Sequence, residues 1–244
     1  MALRIGCDLD GVLADMEGAL VREAEKLFGA RSGRSEPNGP SHDASSMADI
    51  FASEVADHAP LRHELLLTDR ERRTLWRHVR SIDGFWESLD ETEPGIVAKL
   101  ASLTADRRWE MIFLTKRPTT SGDTAQLQSQ RWLIQKGFPL PSVFVVTASR
   151  GLIAAGLTLD IVIDDTPENC VDVASDSRAL TIAIFRSTDV APPPILKSMG
   201  IHMVSTTAEC LDVLAEIDSG LKHSEPGAMG RVLRTLGVKQ PANV

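Results

Sequence analysis

Basic charge is scarce in this sequence: 26 lysines and arginines stand against 34 aspartates and glutamates, a formal net charge of −8. Binding a nucleic-acid polymer or an anionic membrane needs a basic surface, so neither is expected as a partner. A small anion held in a locally basic pocket is still allowed. Cysteine is rare as well. Cys7, Cys170 and Cys210 are odd in number and show neither metal nor redox spacing, which predicts reduced thiols in a cytoplasmic protein. The histidines are scattered, with no pair at zinc-like spacing. No apolar run approaches bilayer length, and no basic-then-apolar leader precedes the first apolar segment near Leu3.

The 244 residues are enough for one medium domain with an insertion, or for two small domains. Short apolar runs recur at Leu3–Cys7, Met111–Leu114, Val143–Val146, Ile161–Ile163 and Leu180–Phe185, with a weaker one at His202–Ser205. Segments of helical character lie between them, at Gly95–Leu103, Thr124–Lys136, Arg150–Leu157 and Ala208–Ile217. Strands alternating with helices predict an α/β fold, a parallel sheet covered on both faces.

The stretch between the first and second strands breaks this rhythm. From Gly18 to about Trp86 helices and loops are expected but no strand. Gly29–Ser46, rich in Gly, Ser and Pro, reads as a mobile loop. A helix then starts at Thr68 or Asp69, with Leu75, Trp76, Val79 and Ile82 on one face and Arg73, Arg77 and Arg80 on another. The expected organisation is a core formed by residues 1–17 and 87–218, a helical cap at 18–86 and a tail at 219–244. The tail holds one short helix at Ala228–Leu236.

Ligands of such sheets bind at the carboxyl ends of the strands, and those ends carry the chemistry here. Asp8 and Asp10 follow the first strand, Thr115 the second, and Asp164 and Asp165 the fourth. Arg150 opens the helix before that fourth strand. Carboxylates without histidine make a hard, oxygen-only set suited to Mg²⁺. A carboxylate can attack phosphorus and form an aspartyl phosphate. A cation such as Arg150, together with Mg²⁺, must offset its repulsion from a phosphate dianion. A second carboxyl can deliver the proton that the leaving alkoxide needs, and Thr115 Oγ can hold phosphoryl oxygens.

DLDGVLAD, FLTKRP, SRGLIAAGL and IVIDDTPEN, in that order, resemble the four motifs of the haloacid dehalogenase-like phosphatase superfamily. The likeness covers roughly residues 1–17 and 87–190, and it implies a Rossmann-like core with the helical cap inserted after the first strand. Within that superfamily the chain most resembles the type C 5′(3′)-deoxyribonucleotidase-like group, through DLDGVLAD, GFWESLDETEPG and VIDDTPEN. The resemblance implies Asp8 as nucleophile and Asp10 as general acid and base. It implies a Mg²⁺ held by Asp8, the Asp10 carbonyl and the Asp164–Asp165 pair, with Thr115 on the phosphate. The nucleotidase group has lysine where this chain has Arg150, so Lys116 and Lys136 stand as alternative phosphate cations. Its second motif is also replaced here by Thr115-Lys116-Arg117-Pro118.

Lys116 and Arg117 are further candidates for substrate binding. Trp76, Phe85 and Trp86 are candidates to stack on a base, with packing between cap and body as the plain alternative. The expected activity is a Mg²⁺-dependent phosphomonoesterase acting on a small phosphorylated metabolite, with nucleoside monophosphates as a candidate class. The alternatives are transfer of the phosphoryl group to an alcohol, or a non-catalytic binding protein on the same scaffold.

Overall fold

The structure, a computed structural model, describes residues 2–29, 67–186 and 191–222. Most of the expected mobile loop and the expected helix at 228–236 lie outside these residues. Six strands form one parallel sheet: β1 (Arg4–Asp8), β2 (Glu110–Thr115), β3 (Ser142–Val145), β4 (Ile161–Asp164), β5 (Leu180–Ile184) and β6 (His202–Val204). Their spatial order is β3-β2-β1-β4-β5-β6. The α/β expectation therefore holds, and each apolar run named above became a strand.

The helices are α1 (Met16–Phe28), α2 (Asp69–Ser81), α3 (Ile96–Arg107), α4 (Ala125–Gln135), α5 (Arg150–Gly156), α6 (Pro167–Asp176), α7 (Pro194–Ser198) and α8 (Thr207–Lys222). Local chemistry sets several of their starts. Thr68 and Glu71 form a capping box on α2, and the Asp15 carboxylate accepts from Gly18 N on α1. Pro167 stands in the first turn of α6, where its missing N–H leaves no helix bond unmade. Neither α6 nor α7 shows a long apolar period, and both escape a reading based on periodicity.

Alternate residues of the strands face opposite layers, as the two-residue period of a strand requires. Ile5, Cys7, Met111, Phe113, Ile161 and Ile163 join the main apolar cluster, whereas Ile112, Leu114 and Val162 pack on Ala154, Leu159 and Val173. Gly6 leaves room on the second face, where a Cβ would come within 2.7 Å of Leu159. The main cluster continues into Leu20 of α1 and into Leu75, Trp76 and Val79 of α2. His78 Nε2 and Glu23 Oε2, 2.9 Å apart, also join these two helices. Among the described residues no helix is long and apolar enough to cross a membrane.

Candidate active site

Strand order reverses at β1: β2 and β3 lie to one side of it, β4 to β6 to the other. A crevice opens outside the strand carboxyl ends at such a point. Asp8 closes β1, Thr115 closes β2 and Asp164 closes β4, so chain topology alone gathers three of the sequence candidates.

Arg150 joins all three of these strands. A first-turn position would ordinarily leave an arginine solvated, and the helix dipole disfavours a cation there. The side chain instead turns inward and is only 1% exposed. Its Nη2 donates to Asp8 Oδ1 and, at 3.3 Å, to the Leu114 carbonyl, while Nε donates to Asp164 Oδ2 at 3.3 Å. Nη1 is buried and has no hydrogen-bond partner among the described residues. A buried cationic donor without a partner is costly.

Asp10 takes a different cation. Arg117 Nε lies 3.0 Å from each Asp10 carboxylate oxygen, and Nη2 donates to Oδ1 at 2.8 Å. Thr115 Oγ1 donates to Asp10 Oδ2 at 3.0 Å and accepts from Arg117 N at 3.2 Å. Asp164 is held from a third side. It accepts from Thr166 N at 2.9 Å, and Asn169 Nδ2 bonds both of its oxygens at 3.1 Å. Lys116 Nζ donates to Asn169 Oδ1 at 3.0 Å, which ties an exposed lysine to the buried aspartate. Thr166 Oγ1 donates to Asp165 Oδ1 at 3.2 Å.

Burial pushes the Asp8 carboxyl well above its ordinary range; Asp164 pushes the same way, and Arg150 opposes both. Burial disfavours the charge on Arg150, but Asp8 and Asp164 more than offset it, and the guanidinium stays protonated. Among the described residues no three His, Cys, Asp or Glu side chains already stand as a ligand cluster for a metal. The chemistry of the donors nevertheless fits a hard divalent ion. They are all oxygen, and the carboxylate charge around Asp8 exceeds what Arg150 neutralises.

The structure therefore brings together Asp8, Asp10, Thr115, Arg117, Arg150, Asp164 and Asp165, with Lys116 at their rim through Asn169. Other expectations are corrected. Trp76, Phe85 and Trp86 are 5%, 2% and 0% exposed, so they offer no open ring face to a base. Trp86 is packed edge-on against Phe85 and donates its indole N–H to the Pro118 carbonyl at 3.0 Å. Lys136 caps the far end of α4, which returns the chain to the start of β3, at the sheet edge opposite the site. Arg117 is 3% exposed, and its Nε, Nη1 and Nη2 each donate to groups inside the protein.

Sequence reasoning missed Asn169 and Arg186. Asn169 lies one helical turn beyond the Asp164–Asp165 pair, on the buried side of α6, and a polar residue at an inward position was the available signal. Arg186 follows β5 and carries no motif. Its guanidinium reaches the Gly11 and Val12 carbonyls, Glu93 and the Thr207 hydroxyl, bracing the turn that carries Asp10.

No protein-family model matches the chain, and no curated protein is significantly similar to it. Solved structures do share its fold. A HAD family hydrolase from Deinococcus radiodurans R1, with bound phosphate and sodium, aligns with a TM-score of 0.52 and 16% identity, over 88% of this chain and 96% of that one. A putative beta-phosphoglucomutase from Thermotoga maritima gives 0.51 and 18%, over 88% and 99%. A phosphonoacetaldehyde hydrolase like protein from Oleispira antarctica gives 0.50 and 15%, over 92% and 96%. At these identities the likeness is one of fold alone. None of the three is described as a deoxyribonucleotidase, and the closer resemblance drawn from the sequence finds no support in them.

Proposed function

We propose that the chain is a phosphomonoesterase that cleaves small phosphate esters through a covalent intermediate on Asp8. The observation that carries this reading is the buried Arg150, which joins Asp8 to Asp164 and keeps one guanidinium nitrogen without a partner among the described residues. A phosphoryl group placed against Asp8 would supply the oxygen that nitrogen lacks. A catalytically silent scaffold has no need for a buried carboxylate cluster held in this way.

In the first step an Asp8 carboxylate oxygen attacks phosphorus, the bond to the ester oxygen breaks, and Asp10, entering the step as the neutral acid, gives the departing alkoxide its proton. In the second step water attacks the same phosphorus and yields its proton to Asp10. The bond to Asp8 then breaks and inorganic phosphate leaves. Arg150 holds a permanent positive charge beside the attacking carboxylate and the phosphoryl oxygens throughout. Asp8, the Asp10 carbonyl and the Asp164–Asp165 pair would hold Mg²⁺, which when bound offsets the repulsion between carboxylates and phosphate.

The substrate class follows from the corrected aromatics. With Trp76, Phe85 and Trp86 buried, no described ring favours a nucleobase, and the proposed substrate is a small ester recognised through its phosphate. The test is phosphate release from an aryl phosphate in the presence of Mg²⁺. Asp8→Asn should fall to background, and excess chelator should abolish the wild-type rate. Wild-type turnover by Asp8→Asn would overturn the covalent role, while transfer to added alcohol without phosphate release would mark a phosphotransferase.

A further inference from the structure

Two carboxylates that must act in sequence, Asp8 and Asp10, share one pocket with two buried cations. The pairing is divided: Asp8 and Asp164 go to Arg150, and Asp10 goes to Arg117. We propose that Arg117 is a positioning residue, which fixes the Asp10 carboxyl on its own side of the pocket and keeps it away from Arg150. The proposal rests on the phosphatase reading above for its kinetic consequences, and on geometry alone for the clamp itself.

Every nitrogen of the Arg117 side chain is committed. Nε and Nη2 grip the Asp10 carboxylate, and Nη1 donates to Ser129 Oγ at 2.9 Å. Ser129 Oγ in turn donates to the Ala125 carbonyl at 2.7 Å, so α4 anchors the outer end of the guanidinium. The planar group lies 4.9 Å from the Trp86 ring centroid and 5.9 Å from that of Trp132. Both rings are pinned by their own indole N–H groups, Trp86 to the Pro118 carbonyl at 3.0 Å and Trp132 to the Leu89 carbonyl at 2.7 Å. A two-pronged grip needs the planar fork of arginine; a lysine ammonium would keep the charge and lose the fork. Without the grip, the short Asp10 side chain would be free to turn toward Arg150, and the Asp8–Arg150–Asp164 geometry would be disturbed with it.

Turnover of an alkyl phosphate and of nitrophenyl phosphate by Arg117→Ala, Arg117→Lys, Asp10→Asn and the Arg117→Lys/Asp10→Asn pair tests this. A group displaced from its working position costs about 10²-fold in rate. Arg117→Ala should show a kcat loss of that order on the alkyl ester with KM little changed. It should show a smaller loss on nitrophenyl phosphate, whose leaving group needs less protonation. Arg117→Lys should recover part of the loss, and in the Asp10→Asn background it should cause no further loss. Equal losses on both esters, or losses that multiply in the double variant, would overturn the positioning role. Should Arg117→Ala fail to fold, the same pattern read with Arg117→Lys decides alone. A wild-type protein inert toward phosphate esters would overturn the functional reading and, with it, the kinetic role. The urea midpoints of the same variants would still decide the clamp. Arg117→Lys should lower the midpoint clearly more when Asp10 is present than in Asp10→Asn, and equal shifts in both backgrounds would overturn it.

Discussion

Gly11 sits at φ +75° directly after Asp10, and a Cβ built there would stand 1.9 Å from Asp165 Oδ2. Two demands meet at this one residue. The backbone needs the left-handed conformation that L side chains avoid, and the Asp165 carboxylate needs the space a side chain would fill. Gly11→Ala should therefore cost about 1–2 kcal/mol from the backbone alone, and more from the displaced carboxylate. Denaturant midpoints would measure the first effect. A loss of phosphatase activity larger than the stability change explains would report the second. The glycine of DLDG was legible in the sequence as a turn residue. Its contact with Asp165, 154 positions later, was not, because no local pattern encodes which side chain arrives from a neighbouring strand.

Elements were easiest to read where a cap or a period marks them. Thr68 and Glu71 announce α2, and its inward face holds the expected Leu75, Trp76 and Val79. The start of α8 was read at Ala208, one residue from Thr207, but its support was not, because that comes from distant residues. Glu93 accepts from the Thr207 and Ala208 amides, at 2.5 and 2.9 Å, and pairs with Arg186 at 3.2 Å. Burial alone would raise the Glu93 carboxyl, but the two amide bonds and Arg186 outweigh it and hold it below its ordinary value. A carboxyl depressed on folding contributes stability above its unfolded pKa, about 4.3 for glutamate, and loses it as pH falls through the lower folded value. Glu93→Gln should thus reduce stability at neutral pH by about 1.5–3 kcal/mol, the scale of hydrogen bonds to a charged group. The difference from wild type should shrink steadily below about pH 4. Parallel melting curves from pH 7 to pH 3 would check this, and a constant gap would rule the charged cap out.

At the scale of the molecule, the sequence order of the strands was readable but their spatial order was not. Apolar runs give strands, yet only long-range pairing puts β4 beside β1 and so sets Asp164 against Asp8. The same limit applies to the aromatics: Trp76, Phe85 and Trp86 read as binding residues or as packing in one dimension, and in three they are buried, with Trp86 beneath Arg117. Strand order also predicts how stability is distributed. β1 pairs with β2 over five residues and with β4 over three, and all but its first residue are buried. Among the described residues β6 pairs only with β5 and has three residues, while β3 lies at the other edge with Phe144 and Val145 exposed. Amides that open only on global unfolding exchange last, and those at short or exposed edges open locally. Native-state hydrogen exchange should therefore find β1 the slowest strand, β2 and β4 close behind, and β3 and β6 the fastest. Slow exchange at β1 would mean that Asp8, Thr115 and Asp164 project from the most rigid part of the sheet. A nucleophile that has to meet phosphorus with little room for error requires such a base. If β6 were as protected as β1, the rigidity of the site could not be ascribed to its central place in the sheet.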